Sequence, residues 1–233
     1  VMTDLDIGVN QRLSAPFVWD GACAYDRGKV MTEEELEAGK TFGRYLDVDG
    51  DGIPYRTYPG THPKRGAYFT RGTTKDRYAR YSEEGPVYVD NMERLVTKFE
   101  PAKALVPQPL PQPAKRDTRK SVLFFGSTSP SMHEALDHLE AKGEHLDAMR
   151  IRAYPFCDDV MDFIARHDRV FIVEQNRDGQ LRGMLINEGG IDPAKMIAVL
   201  HYDGTPITAR FIVGDIADKL ARYNVTPIKK VAS

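Results

Sequence analysis

Cysteine is nearly missing from this chain: its 233 residues include two, Cys23 and Cys157, far apart in sequence. That number excludes a disulfide framework. The pair reads as free thiols of a reducing cytosol, with a single bridge as the other option. Two thiolates are also too few for an iron–sulfur cluster, which ordinarily takes four, so any redox metal belongs on another chain. An excess of one charge is lacking too. The formal net charge of -2 leaves no electrostatic footprint for nucleic acid or an anionic membrane surface. No apolar run approaches the roughly 20 residues that cross a bilayer. The opening VMTDLDIGVN is acidic, whereas a secretory signal is basic and then apolar. These absences predict a cytoplasmic protein with neither nucleic acid nor membrane as partner. The length suits one large domain or two small ones with real cores.

The text of the chain changes character along its length. Residues 1–18 read as the end of a strand and a loop, as if the chain were the C-terminal part of a longer polypeptide. Residues 19–105 are irregular and support two helices. One spans Thr32–Lys40, where Thr32 and Glu35 have the spacing of a capping box. The other spans Val87–Phe99, with Met92, Leu95, Val96 and Phe99 on one face. VPQPLPQPAKRD, residues 106–117, has four prolines in twelve residues and reads as a semi-rigid polyproline spacer between domains. From Ser121 strands alternate with helices: SVLFFG, then a helix with Ser129 as N-cap, Pro130 in its first turn and Gly143 at its end; MRIRAY, then DDVMDFIARH; RVFIVEQN, then GQLRGMLINEG; MIAVLHY, then ITARFIVGDIADKLARY. Such alternation predicts an α/β fold with a mostly parallel sheet flanked by helices and right-handed crossovers.

The densest chemistry lies in Asp47–Glu84, which carries thirteen charged residues, five glycines and three prolines without helix or strand periodicity. Long non-periodic segments in compact proteins usually carry function. Asp47, Asp49 and Asp51 with Gly52 match the first half of an EF-hand calcium loop, but its twelfth position, a bidentate Glu, is Tyr58 here. The competing reading is an acidic turn whose carboxylates cap backbone amides or pair with nearby bases. In Thr70-Arg71-Gly72-Thr73-Thr74-Lys75-Asp76, hydroxyls, two bases and a carboxylate converge around a glycine that permits close backbone approach. Such a loop can hold a carboxylate or phosphate; a solvated charged loop is the alternative. His133 and His138 are five apart rather than four and do not form a zinc-protease pair. Gly126–Pro130 reads as a helix-start turn or an anion site. Glu174-Gln175-Asn176 closes the third predicted strand, where ligands or partners sit on open α/β sheets.

Five strings resemble the α subunit of 2-oxoacid:ferredoxin oxidoreductases, the 2-oxoglutarate type in particular, in its C-terminal portion: TDLDIGVN, DVDGDGIPYRTYPGTHPKRGAYFTRG, DRYARYSEE, VEQNRDGQLRGML and HYDGTPITAR. The likeness runs from about Leu5 to Arg210. It implies that 1–18 end a pyrimidine-binding domain. It further implies that 19–118 are an irregular connecting segment carrying an active-site loop and a Pro-rich linker, and that 119–233 form a transketolase C-terminal-like domain. The family decarboxylates a 2-oxoacid on thiamine diphosphate, passes electrons through a [4Fe–4S] cluster to ferredoxin, and gives the acyl group to coenzyme A, or runs reductively to fix CO2. The resemblance implies that diphosphate, Mg²⁺ and cluster are held mainly by a β subunit, in an αβ heterodimer that pairs again. Thr70, Gly72 and Asp76 fall on a family loop that approaches the place where coenzyme A arrives, with Lys75 in place of a histidine. Asp76 is then the loop's catalytic candidate; Arg71, Thr73, Thr74 and Lys75, with Arg56 and His62, are its substrate-proximal residues, and Glu174 and Asn176 are interfacial. The acidic residue that activates the thiamine ring lies upstream, so this chain alone is expected to be inactive. A non-catalytic assembly module is the alternative.

Overall fold

Strands whose residues alternate between two buried faces organise the second half of the chain. The structure, a computed structural model, describes residues 8–9, 11 and 13–225; the strand end read at residues 1–7 lies outside the described residues. Two compact units meet in sequence at Leu105 and Val106. The unit that begins at Val106 contains β1 (Leu110–Gln112), β2 (Lys120–Phe125), α3 (Ser129–Ala141), β3 (Asp147–Ile151), α4 (Asp158–Arg166), β4 (Arg169–Glu174), α5 (Gln180–Gly189), β5 (Met196–Leu200) and α6 (Ala209–Val225). The sheet order is β1-β3-β2-β4-β5. All neighbours run parallel except β1, which pairs antiparallel with β3. The mostly parallel α/β arrangement expected from the sequence is the one observed.

Because side chains alternate along a strand, Val122 and Phe124 point to one face and Leu123 to the other. The first face, with Ala148, Phe171 and Val199, packs under Met132 and Leu139 of α3 and Ile212 and Ile216 of α6. The second, with Met149, Val170 and Ile172, packs under Phe163 and Ile164 of α4 and Leu185 of α5. Burying each such aliphatic or aromatic side chain contributes about 1.5–3 kcal/mol, and two full layers of them fix this unit.

Two local readings are corrected. Residues 106–117 are more than a spacer, since Leu110–Gln112 form β1 with Pro111 opposite Met149. Proline is admissible there because an outermost strand needs amide donors on one side alone. Ser129 is the first residue of α3 and not its cap, because a 3-10 turn, Gly126–Thr128, precedes it; its hydroxyl faces His133 at 3.4 Å. Gly143, with φ of 82°, follows that helix as expected.

The unit Ser14–Leu105 contains α1 (Glu33–Glu37) and α2 (Gly85–Leu105). The capping box is present: Glu35 N–H donates to Thr32 Oγ1 at 3.3 Å, and Thr32 N–H donates to Glu35 Oε2 at 3.0 Å. Helix α2 is longer than the predicted Val87–Phe99 and continues through Pro101. None of its residues is buried, and Met92, Val96 and Phe99 of the predicted apolar face are exposed. In place of strands, two isolated bridges, Val30 with Arg56 and Lys75 with Tyr81, hold the connecting chain.

Candidate functional site

The loop that begins at Thr70 doubles back on itself. Lys75 and Tyr81 pair antiparallel, Asp76 N–H donates to the Arg80 carbonyl at 2.8 Å, and Ser82 N–H reaches the Thr74 carbonyl at 3.4 Å. The Asp76 carboxylate sits at the tip: its Oδ1 accepts the amides of Tyr78 at 2.9 Å and Arg80 at 2.8 Å. That clamp holds Ala79 at φ of 70° with its side chain buried, a conformation that L-residues other than Gly and Asn adopt at a cost. Gly72, at φ of 69°, lies against the Tyr81 ring, where a Cβ would come within 3.0 Å of Cε2. A side chain there would displace the ring or the loop.

Helix α2 anchors the loop from behind. Asn91 Nδ2 donates to the Lys75 carbonyl. Arg77 forms a two-pronged pair with Asp90, Nε to Oδ2 at 3.0 Å and Nη2 to Oδ1 at 2.6 Å. The Arg77 guanidinium holds the Asp90 carboxyl below the ordinary carboxylate range, and Asp90 in turn raises Arg77. Arg71 leaves the loop for solvent over the Tyr81 ring, 5.5 Å from its centroid. Tyr81 donates its hydroxyl to Glu83, which pushes the phenol up. Thr70 Oγ1 is buried without a hydrogen-bond partner. The loop therefore offers cations and hydroxyls, but its carboxylate serves the turn.

The other expected site residues have separate employment. His62 is almost fully enclosed: its Nδ1 accepts the amides of Lys64 at 2.9 Å and Arg65 at 2.8 Å, which places its proton on Nε2, facing Glu37 of α1 at 2.5 Å. That hydrogen bond lowers the Glu37 carboxyl. Arg56 donates to the Arg27 carbonyl, and its backbone bridges Lys29 and Met31. Neither residue has its partners in the 70–76 loop.

The aspartate turn is architectural in its contacts. Asp47 Oδ1 accepts the amides of Gly50 at 2.9 Å and Asp49 at 3.4 Å, and Oδ2 accepts Gly52 N–H at 2.9 Å. Burial presses the Asp47 carboxyl upward, but these amides prevail and its pKa is lowered. The three carboxylates lie close enough to share a cation. Lys29 Nζ takes that place, 2.7 Å from Asp49 and 2.6 Å from Asp51. The expected caps are therefore present, and the expected basic partner is a lysine 20 residues away in sequence.

Glu174 is fully buried. Its carboxylate accepts Leu181 N–H at 2.7 Å, Arg182 N–H at 3.0 Å and Asn176 Nδ2 at 2.9 Å. It caps α5 from the end of β4 and, among the described residues, pairs with no arginine. Gln175 donates to Ser127 and Thr128 at 2.9 and 3.2 Å, tying the β2–α3 turn to the same sheet edge.

Sequence reasoning passed over Tyr45, Arg44 and Arg94. The Arg44-Tyr45 pair, Lys75 and Arg94 stand apart in the chain, so no local pattern marked their convergence.

No family model matches this chain, and no curated protein matches it either. Among solved structures it is similar to the 2-oxoglutarate:ferredoxin oxidoreductase from Magnetococcus marinus, solved with 2-oxoglutarate, coenzyme A and succinyl-CoA bound. The identity is 21% and the TM-score 0.66, over 77% of this chain and 31% of that one. What the two share is the fold. A second similarity, to the alpha chain of a probable 2-oxoacid ferredoxin oxidoreductase from Thermoplasma acidophilum, has 19% identity and a TM-score of 0.34 over 49% of this chain and 97% of that one, and carries no argument. Among the described residues no helix is long and apolar enough to cross a membrane.

Proposed function

We propose that this chain is a C-terminal portion of the α subunit of a cytoplasmic, thiamine diphosphate-dependent 2-oxoacid:ferredoxin oxidoreductase of the 2-oxoglutarate type. The reaction interconverts 2-oxoacid and coenzyme A with acyl-CoA, CO2 and reduced ferredoxin. One coincidence supports the reading: strings resembling that family run through nearly the whole chain, and 77% of the chain shares its fold with a solved enzyme of that kind. That enzyme was solved with coenzyme A bound, which favours coenzyme A as the acyl acceptor here.

The residues of this chain do not fit the redox and thiamine groups. Cys23 is exposed and Cys157 belongs to the other compact unit, so a cluster needing four thiolates finds no seat. Lys29 pairs with Asp49 and Asp51 of the one acidic group among the described residues that could hold Mg²⁺ and occupies its centre. In this reading thiamine diphosphate, Mg²⁺ and [4Fe–4S] belong to the β subunit. This chain supplies the 70–76 loop, where Arg71, Lys75 and the hydroxyls orient the anionic ends of substrates. Ferredoxin, the β subunit and the rest of the α polypeptide are its partners, in an αβ heterodimer paired once more.

The α2 surface favours a second reading, a non-catalytic assembly module. A helix of 21 residues with none buried suits a face that a partner covers. Purification through a tag on this chain decides the class. A heteromer by native mass with a brown visible spectrum is expected; a colourless species containing this chain alone overturns the oxidoreductase reading. Sedimentation of 70–76 loop variants then separates catalysis from assembly, since assembly alone predicts that each impaired variant has also lost its partner.

A further inference from the structure

Three cations crowd one phenol ring. The Lys75 ammonium lies 5.3 Å from the Tyr45 ring centroid, the Arg44 guanidinium 5.4 Å and the Arg94 guanidinium 5.8 Å. Arg44 comes from the turn after α1, Lys75 from the 70–76 loop and Arg94 from α2, so folding of the Ser14–Leu105 unit has gathered them. All are partly buried.

Direct ion pairing does not reach these charges, and Asp47 and Asp90 act on Arg94 only from a distance. None of the three has a carboxylate within ion-pair distance among the described residues, and the nearby acids are engaged elsewhere. Asp90 is held by Arg77, both Asp47 oxygens accept amides of their own turn, and Asp76 clamps Tyr78 and Arg80. A ring has two faces, and its quadrupole attracts a cation over each; Arg44 is shared between Tyr45 and the Tyr68 ring, 6.0 Å from the latter's centroid, which leaves Lys75 and Arg94 on Tyr45. Arg94 shows the deficit most plainly. Its Nη1 donates to the Gly52 carbonyl at 3.0 Å, but its Nε is buried without an acceptor. Burial first, and then the Arg44 charge, press the Arg94 guanidinium downward from its ordinary value.

We propose that Arg44, Lys75 and Arg94 form a site for a phosphate-type anion beside Tyr45. Planar guanidinium forks and a lysine point charge together match the tetrahedral oxygens of a phosphoryl group. Its double charge offsets most of the excess, where a single carboxylate leaves more of it standing. The site stands on these charges alone and does not depend on the oxidoreductase reading.

Calorimetric titration of the whole chain with inorganic pyrophosphate at low ionic strength tests it. Saturable one-site binding is expected, weakened about tenfold or more by Lys75→Gln and by Arg44→Gln, with the thermal transition of each variant retained. Lys64→Gln, an exposed position outside the group, leaves affinity unchanged. Absence of saturable binding to the wild-type chain overturns the site, as does unchanged affinity in both cluster variants. Malonate binding as tightly as pyrophosphate overturns the phosphate assignment. A colourless, partnerless chain that still binds pyrophosphate sinks the oxidoreductase reading and leaves this inference intact.

Discussion

Asp76, the loop's catalytic candidate, also has a structural task. Its Oδ1 holds two amides of a turn that includes a left-handed Ala79. A turn conformation of that kind persists where surrounding contacts over-determine it. Asp76→Ala removes both acceptors and should lower the stability of the chain by about 1–2 kcal/mol in urea denaturation. Asp76→Asn retains an oxygen acceptor in the same place and should stay within about 0.5 kcal/mol of wild type. The pair also separates two meanings of any activity loss in the proposed complex. If coenzyme A-dependent turnover falls in both variants, the charge matters; if it falls in the alanine variant alone, the shape of the loop matters. Equal stability of all three proteins would remove Asp76 from the turn argument.

At the scale of elements, Glu174 joins β4 to α5 by placing a full carboxylate beneath the amides of Leu181 and Arg182. Those amides belong to the first turn of a helix, where donors lack intrahelical partners and negative charge is favoured. Glu174→Ala leaves them buried and unsatisfied and should cost about 3 kcal/mol, while Glu174→Gln should cost about half of that; chemical denaturation measures both. Much of this half of the protein was legible beforehand. Its strands are short apolar runs and its helices carry 3.6-residue stripes, signals that depend on neighbours in sequence. The N-cap of α3 was displaced because a 3-10 turn continues directly into the helix. The strand at Leu110–Gln112 escaped notice because proline composition argues for a spacer, while its pairing with β3 is set nearly 40 residues away. In the Asp47–Glu84 stretch the capping role of Asp47 was readable from local spacing. The partners of Lys29, His62 and Tyr45 were not, because each is brought in from a distant segment.

The molecule as a whole is unevenly supported. Of its buried apolar residues, those in the Ser14–Leu105 unit are Met31, Leu36 and Ala79, whereas both core clusters lie in the unit that begins at Val106. Hydrophobic burial is the dominant favourable contribution to folding, so the two should behave differently when separated. A fragment of residues 106–233 should unfold cooperatively on heating, and one of residues 1–105 should show no such transition by circular dichroism. A cooperative transition in the shorter fragment would mean that hydrogen bonds and cation–ring contacts suffice without a core. The prolines in and beside β1 bear on assembly in another way. Pro111 lies in this outermost strand and Pro109 and Pro113 flank it, and since a proline cannot donate to β3, the donors that pair inward are those of Leu110 and Gln112. The outward rim is thereby stripped of amide protons at each alternate position. A foreign strand arriving there meets carbonyls without donors and cannot be templated. This chain can be joined by helix or loop on that side, but its sheet ends where it ends.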